Sequence, residues 1–177
     1  MNIDTSDKTV WEHLSRELAK ANTLIDLSKR ILKSILFTRG RYEMFAITML
    51  DSFRRTILLS IYHFFDKKYS WSLYSLSDLS AADKSKILEL LRKATVYIKL
   101  RHKEVGHSSN KSHLEDLKRF KWLPGDELEK IEALFKDISI FLNSYGMRKY
   151  NEGYTLHYLE PSTSFQCLIE DLERIKG

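Results

Sequence analysis

Residues 41–66 read RYEMFAITMLDSFRRTILLSIYHFFD, and the spread of apolar side chains through this stretch decides the fold. Phe45, Met49, Phe53, Ile57, Ile61 and Phe65 recur every fourth residue, which is a helical spacing, and most of the residues between them are apolar as well. A helix that is apolar nearly all round is a buried one. The stretch is therefore expected to be a central helix with amphipathic helices around it. Among its charged residues Arg54, Arg55 and Asp66 require partners, because an unpaired charge on such a helix is expensive to bury.

Working outward, residues 9–37 place Val10, Leu14, Leu18, Ala21, Ile25, Leu32 and Ile35 on one helical face, and Thr38-Arg39-Gly40 breaks that pattern. On the C-terminal side, residues 71–80 alternate serine with leucine and aromatics, as in a connector, and Ser80 or Asp83 suits the cap of the next helix. That helix is predicted over 81–105, with Ile87, Leu90, Leu91, Ala94, Ile98 and Leu100 inward, a strongly basic polar face and Gly106 as its stop. A short helix is expected over 113–120. Pro124-Gly125 then turns the chain into a fourth long helix carrying Leu128, Ile131, Leu134, Phe135, Ile138, Phe141 and Leu142. Gly146 is expected to end it as a left-handed cap. A tyrosine-rich loop follows, in which Tyr150, Tyr154 and Tyr158 are placed to pack or to stack on bases, and Phe165, Leu168, Ile169 and Leu172 predict a short terminal helix. Two prolines, six glycines and no Asn-Gly or Asp-Gly pair leave little signal for hairpins. The expectation is an all-α, single-domain helical bundle over residues 1–177, with up-and-down long helices and a short terminal one.

The net charge of +5 is local in origin: residues 84–121 hold eleven Lys/Arg against four Asp/Glu, an excess of +7. A surface of that kind attracts phosphates or acidic proteins without reading sequence. One cysteine, Cys167, allows no internal disulfide and no multi-cysteine zinc site, which suits a reducing compartment. The N-terminus lacks the pattern of a signal peptide, and the longest charge-free apolar stretch, 56–65, is about half a membrane span. A cytoplasmic protein with no membrane partner is expected, and no spacing of His, Cys, Asp and Glu predicts a metal or cofactor site.

The chemistry concentrates in Leu100-Arg101-His102-Lys103-Glu104-Val105-Gly106-His107-Ser108. In a continuous helix, positions 101 and 107 lie roughly 120° apart, so the two side chains would not share one phosphate. A helix that ends at Gly106 lets His107 turn back toward Arg101. RNA cleavage without a metal needs a base for the 2′-hydroxyl, a cation for the phosphorane and an acid for the 5′-oxygen. Arginine's planar fork and a histidine titrating near neutrality supply two of these parts. One histidine per subunit covers one proton transfer, so a two-fold interface joining two Arg101/His107 pairs would complete the set.

Arg101, His102 and His107 resemble the active motif of the HEPN superfamily, and the wider chain resembles its AbiU-type abortive-infection branch. The resemblance rests on Ser60-Ile61-Tyr62-His63-Phe64-Phe65-Asp66, the stretch from Arg101 to Ser108 and the helix over 165–172. It implies a helical bundle, a homodimer with facing motifs and ribonuclease activity in a toxin-antitoxin or antiphage setting. In that reading Arg101 stabilises the phosphorane, His107 transfers a proton, His102 assists, and Lys99, Lys103 and Lys111 draw in RNA. A cognate antitoxin or nucleotidyltransferase is a possible partner, with Tyr97, one turn before Arg101, as a modification acceptor. The same basic face would also serve a non-catalytic module that binds a protein or nucleotide. His63 and His113 are assigned no role as metal ligands.

Overall fold

The structure, a computed structural model, describes residues 7–33, 43–105 and 125–153, apart from the side chains of 43–44, 102–105 and 125–126. Four long helices account for most of them: α1 (Asp7–Lys33), α2 (Glu43–Phe65), α3 (Ala81–Val105) and α4 (Gly125–Tyr150). A single 3-10 turn, Leu73–Ser75, interrupts the connector between α2 and α3, and no strand occurs among the described residues. The expected all-helical bundle is the observed one. The expected helices over 113–120 and 165–172, together with His107, Lys111, His113, Tyr154, Tyr158 and Cys167, lie outside the described residues.

Each of α1 and α3 packs on both α2 and α4. Pairs along the helices give their directions. Ser60 meets Glu17, while Ile31 clusters with Ala46 and Leu50, so α2 runs antiparallel to α1. Trp11 Nε1 donates to the Leu142 carbonyl at 2.9 Å and Lys29 meets Glu132 at 2.6 Å, so α4 is antiparallel to α1. Arg148 with Asp83, and Lys93 with Asp137, make α4 antiparallel to α3 as well. The core runs between them through Leu14, Leu18, Ile25, Ile57, Ile61, Phe64, Ile87, Leu90, Ala94, Ile131, Phe135 and Ile138. Burying a side chain of this size contributes about 1.5–3 kcal/mol, so the apolar stripes are what hold the four helices together.

Local signals set the ends. Ser80 Oγ accepts the Asp83 amide at 3.1 Å and the Asp83 carboxylate accepts the Ser80 amide at 3.0 Å, a reciprocal cap that starts α3 where the sequence placed it. Asp66 closes α2: its carboxylate accepts the Lys68 amide at 2.9 Å and its carbonyl accepts the Tyr69 amide at 3.1 Å, folding the chain back in a turn.

Two expectations are corrected. Gly146 does not end α4, which continues to Tyr150 and is followed by Asn151 at φ 54°, the left-handed residue that caps it. Glycine stands at 146 because the Trp11 indole lies against it: a Cβ there would come within 2.5 Å of the ring. Nor is α2 buried all round, as its apolar composition led us to expect. Ala46, Leu50, Ile57, Leu58, Ile61, Phe64 and Phe65 are buried, whereas Phe45 is 48% exposed and Met49 and Phe53 are only partly covered. An all-round apolar helix does not announce which side its neighbours will take. The charged residues of α2 divide as well, with Arg55 pairing with Asp51 at 2.8 Å on the surface and Arg54 half-buried.

Candidate functional site

Tyr62 and His63 stand in the last turn of α2, Asp66 directly follows it, and residues of α1, α3 and the connector interact with them. The turn made by Asp66 brings Tyr69 back over α2, where its ring stacks on His63 with centroids 4.3 Å apart and planes at 21°. Tyr69 is itself tied down, because its carbonyl accepts Ser75 Oγ at 3.2 Å. Asp66 is held below the usual carboxylate range, chiefly by the Lys68 amide, and the hydroxyl of Tyr62 also donates to it. That bond raises the Tyr62 phenol above its ordinary value; burial and the Asp66 charge add to the effect and the Arg101 charge opposes it.

Arg101 arrives from the C-terminal part of α3. Its guanidinium carbon stands 4.3 Å from the centroid of the Tyr62 ring, a cation–π contact. Its Nε is buried and has no hydrogen-bond partner, and no carboxylate forms an ion pair with it among the described residues. A half-buried guanidinium held on an aromatic face, with part of its fork unsatisfied, is prepared to receive an anion.

From α1 come His13 and Glu17, one turn apart. The Glu17 carboxylate accepts Ser60 Oγ of α2 at 3.2 Å. His13 packs its ring against Trp71 of the connector, centroids 4.7 Å apart, and leaves its buried Nε2 without a partner. His63 senses all of these groups. Burial pushes its pKa below the ordinary histidine value, Glu17 and Asp66 work in the opposite direction, and Arg101 and His13 push it further down. The result is a neutral imidazole beside a permanent cation, which is chemically a proton acceptor beside an anion holder.

Of the sequence-derived site residues, Arg101 stands in this cluster and Lys99 is exposed two residues before it. His102 and Lys103 belong to α3, but their side chains lie outside the described residues, as do His107 and Lys111. Tyr97 belongs to the core cluster and is 5% exposed. Tyr150 likewise has a structural place: it lies 5.6 Å from the Trp11 ring and donates to Asp7, so it is not a free stacking platform. His13, Glu17, His63 and Tyr69 were missed by sequence reasoning. Their only signals were an i, i+4 His/Glu pair on one helix and a polar cluster at the end of an apolar one. Among the described residues, no three His, Cys, Asp or Glu side chains group closely enough to hold a metal ion, and no helix is long and apolar enough to cross a membrane. Neither a family model nor a characterised protein nor a solved structure was found to match the chain.

Proposed function

We propose that the protein is an endoribonuclease that needs no metal and cleaves RNA by attack of a 2′-hydroxyl on the adjacent phosphate. The observation that carries this reading is the Arg101 guanidinium, half-buried on Tyr62 with its Nε unpartnered, on the helix whose polar face is basic. Arg101 holds the non-bridging oxygens and stabilises the phosphorane, a part that lysine's single ammonium fills less well. His107 transfers a proton, His102 assists, and Lys99, Lys103 and Lys111 attract the RNA backbone. In this reading the protein works in the cytoplasm as a homodimer in a toxin-antitoxin or antiphage setting, under a cognate antitoxin or nucleotidyltransferase.

The test is incubation of wild-type protein and His107→Ala with total RNA in excess EDTA, with analysis of the new ends. Cleavage by wild type alone, leaving 2′,3′-cyclic phosphate and 5′-hydroxyl ends, is the expected result. Retained RNA binding without cleavage by either protein would replace this reading with that of a binding module. Specific activity that rises with protein concentration is the expected mark of the dimer, and a stable monomer cleaving at full rate would remove it.

A further inference from the structure

In-line cleavage of RNA requires two proton transfers, and a single histidine near Arg101 performs one of them. We propose that His63 is the general base, acting within the same protomer as Arg101. This inference rests on the ribonuclease reading and adds to it a residue that sequence reasoning left without a role.

Tyr62 and His63 are consecutive on α2, with ring centroids 6.1 Å apart, and Tyr62 is the platform on which the Arg101 guanidinium sits 4.3 Å away. A phosphate taken by Arg101 is thereby brought to the same turn of α2 that carries the imidazole. Orientation is fixed as well, because stacking on Tyr69 holds the plane of the His63 ring and leaves its nitrogens at the edge. No hydrogen bond occupies either nitrogen among the described residues.

Charge completes the case. The groups that face His63 are Glu17 and His13 from α1, Asp66 on α2, Arg101 from α3 and Tyr69 from the connector. Burial and Arg101 keep the imidazole neutral and able to accept, while the two carboxylates stand ready to stabilise the imidazolium once a proton arrives. In the reaction the 2′-O–H proton passes to a His63 nitrogen while the 2′-oxygen forms its bond to phosphorus. The P–O5′ bond breaks with its electron pair on the 5′-oxygen, which takes a proton from the acid, the part left to His107. The products are a 2′,3′-cyclic phosphate and a 5′-hydroxyl; His63 then gives its proton up to solvent and the acid takes one back from solvent, so both groups regain their starting states.

The experiment compares an RNA oligonucleotide with its counterpart carrying a 5′-bridging sulfur at the cleaved linkage. A departing thiolate needs no proton, so that substrate restores activity to a variant lacking the acid and not to one lacking the base. His63→Gln is expected to lose about 10²–10⁴-fold in kcat on both substrates, with KM nearly unchanged and the acidic limb of the kcat/KM profile flattened. His107→Ala should be rescued by sulfur. Wild-type rates in His63→Gln, or rescue of that variant by sulfur, would overturn the assignment while leaving the ribonuclease reading in place. A wild type inert in EDTA would remove both. Should the variant fail to fold, NMR titration of the His63 ring in wild-type protein decides the matter. Its pKa is expected below 6.5 in the free protein and higher when a non-cleavable 2′-deoxy oligonucleotide is bound, and no change on binding would count against the base.

Discussion

Two polar clusters flank the core of this bundle, and they treat their charges in opposite ways. At the clasp where α1 begins and α4 ends, Asp7 accepts the hydroxyls of Tyr145 and Tyr150, each at 2.5 Å, and the Ser77 amide at 2.6 Å. Tyr145 reaches the Ser77 carbonyl as well, Asp83 accepts Arg148 at 2.5 Å and the Ser80 hydroxyl at 2.7 Å, and Lys149 pairs with Asp78. In the cluster at the end of α2, by contrast, Arg101 Nε and His13 Nε2 are buried without partners. Buried polar groups are normally satisfied, so a cluster that saturates its members serves stability and one that leaves them open is suited to a ligand. Substitutions should therefore separate the two regions: the clasp should govern melting, and the cluster at the end of α2 should govern the proposed activity.

Beside the loss expected of His63→Gln, a large effect is expected at Arg101. In the proposed reaction Arg101→Ala removes the group that would hold the phosphate, and it should lower kcat by about 10²–10³-fold, as loss of one transition-state donor does elsewhere. The same change should leave thermal stability nearly untouched or raise it, since it relieves a buried unsatisfied nitrogen. A melting temperature that falls as steeply as the activity would erase the distinction between the cluster at the end of α2 and the clasp.

Asp7 supplies the opposite test. Asp7→Ala strands the Tyr150 phenol and the Ser77 amide, leaves Tyr145 with the Ser77 carbonyl alone, and should cost about 2–4 kcal/mol of stability, measured by denaturant unfolding, with activity per folded molecule unchanged. Acid should act in the same direction. Burial works to raise the Asp7 carboxyl, yet the bonds from Tyr145, Tyr150 and Ser77 hold it below 3.8, and Asp83 is likewise held low by Ser80 and Arg148 against its own burial. A depressed carboxyl contributes stability that is complete above its unfolded value and lost as the pH falls through the folded one. The protein should thus weaken below about pH 4, and less so in Asp7→Ala. At the alkaline end the sign reverses. Burial and the Asp7 carboxylate push Tyr145 up to about 12, so its contribution should persist to pH 10 and fade as the pH rises toward 12.

How much of this was readable beforehand depends on whether a signal is local. The start of α3 was, because Ser80 and Asp83 form a cap from residues three apart, and the apolar stripes of α1, α3 and α4 were, because one helical face repeats. The buried side of α2 was not, since an all-round apolar helix carries no periodic preference. Arg101 stood out as a charge beside histidines in a basic stretch. His63, Glu17, His13 and Tyr69 did not, because four positions on three different elements become one cluster only when the helices pack. Gly146 misled for a related reason: the ring that requires it belongs to Trp11, more than a hundred residues earlier in the chain.

Gly146 also sharpens the comparison at a smaller scale. Replacing an interior helical glycine by alanine normally stabilises by about 1 kcal/mol. Here the new methyl would stand 2.5 Å from Trp11 and 2.8 Å from the Glu152 carbonyl, and overpacking of that kind costs about 1–3 kcal/mol. Gly146→Ala should therefore lower stability by up to about 2 kcal/mol despite its better propensity, and Trp11 fluorescence should shift as the indole leaves the Leu142 carbonyl.

The smallest effect belongs to Ser80. Ser80→Ala removes one side of the reciprocal cap and should cost about 1 kcal/mol. Its hydroxyl also donates to the Asp83 carboxylate that binds Arg148, so the loss should be partly shared with Arg148→Ala. A double-mutant cycle measures that sharing. A coupling of more than about 0.5 kcal/mol would show that the cap and the ion pair act as one clasp. Strict additivity would reduce the cap to a local device of α3, leaving Asp7 and its tyrosines as the part of the clasp that joins the helices.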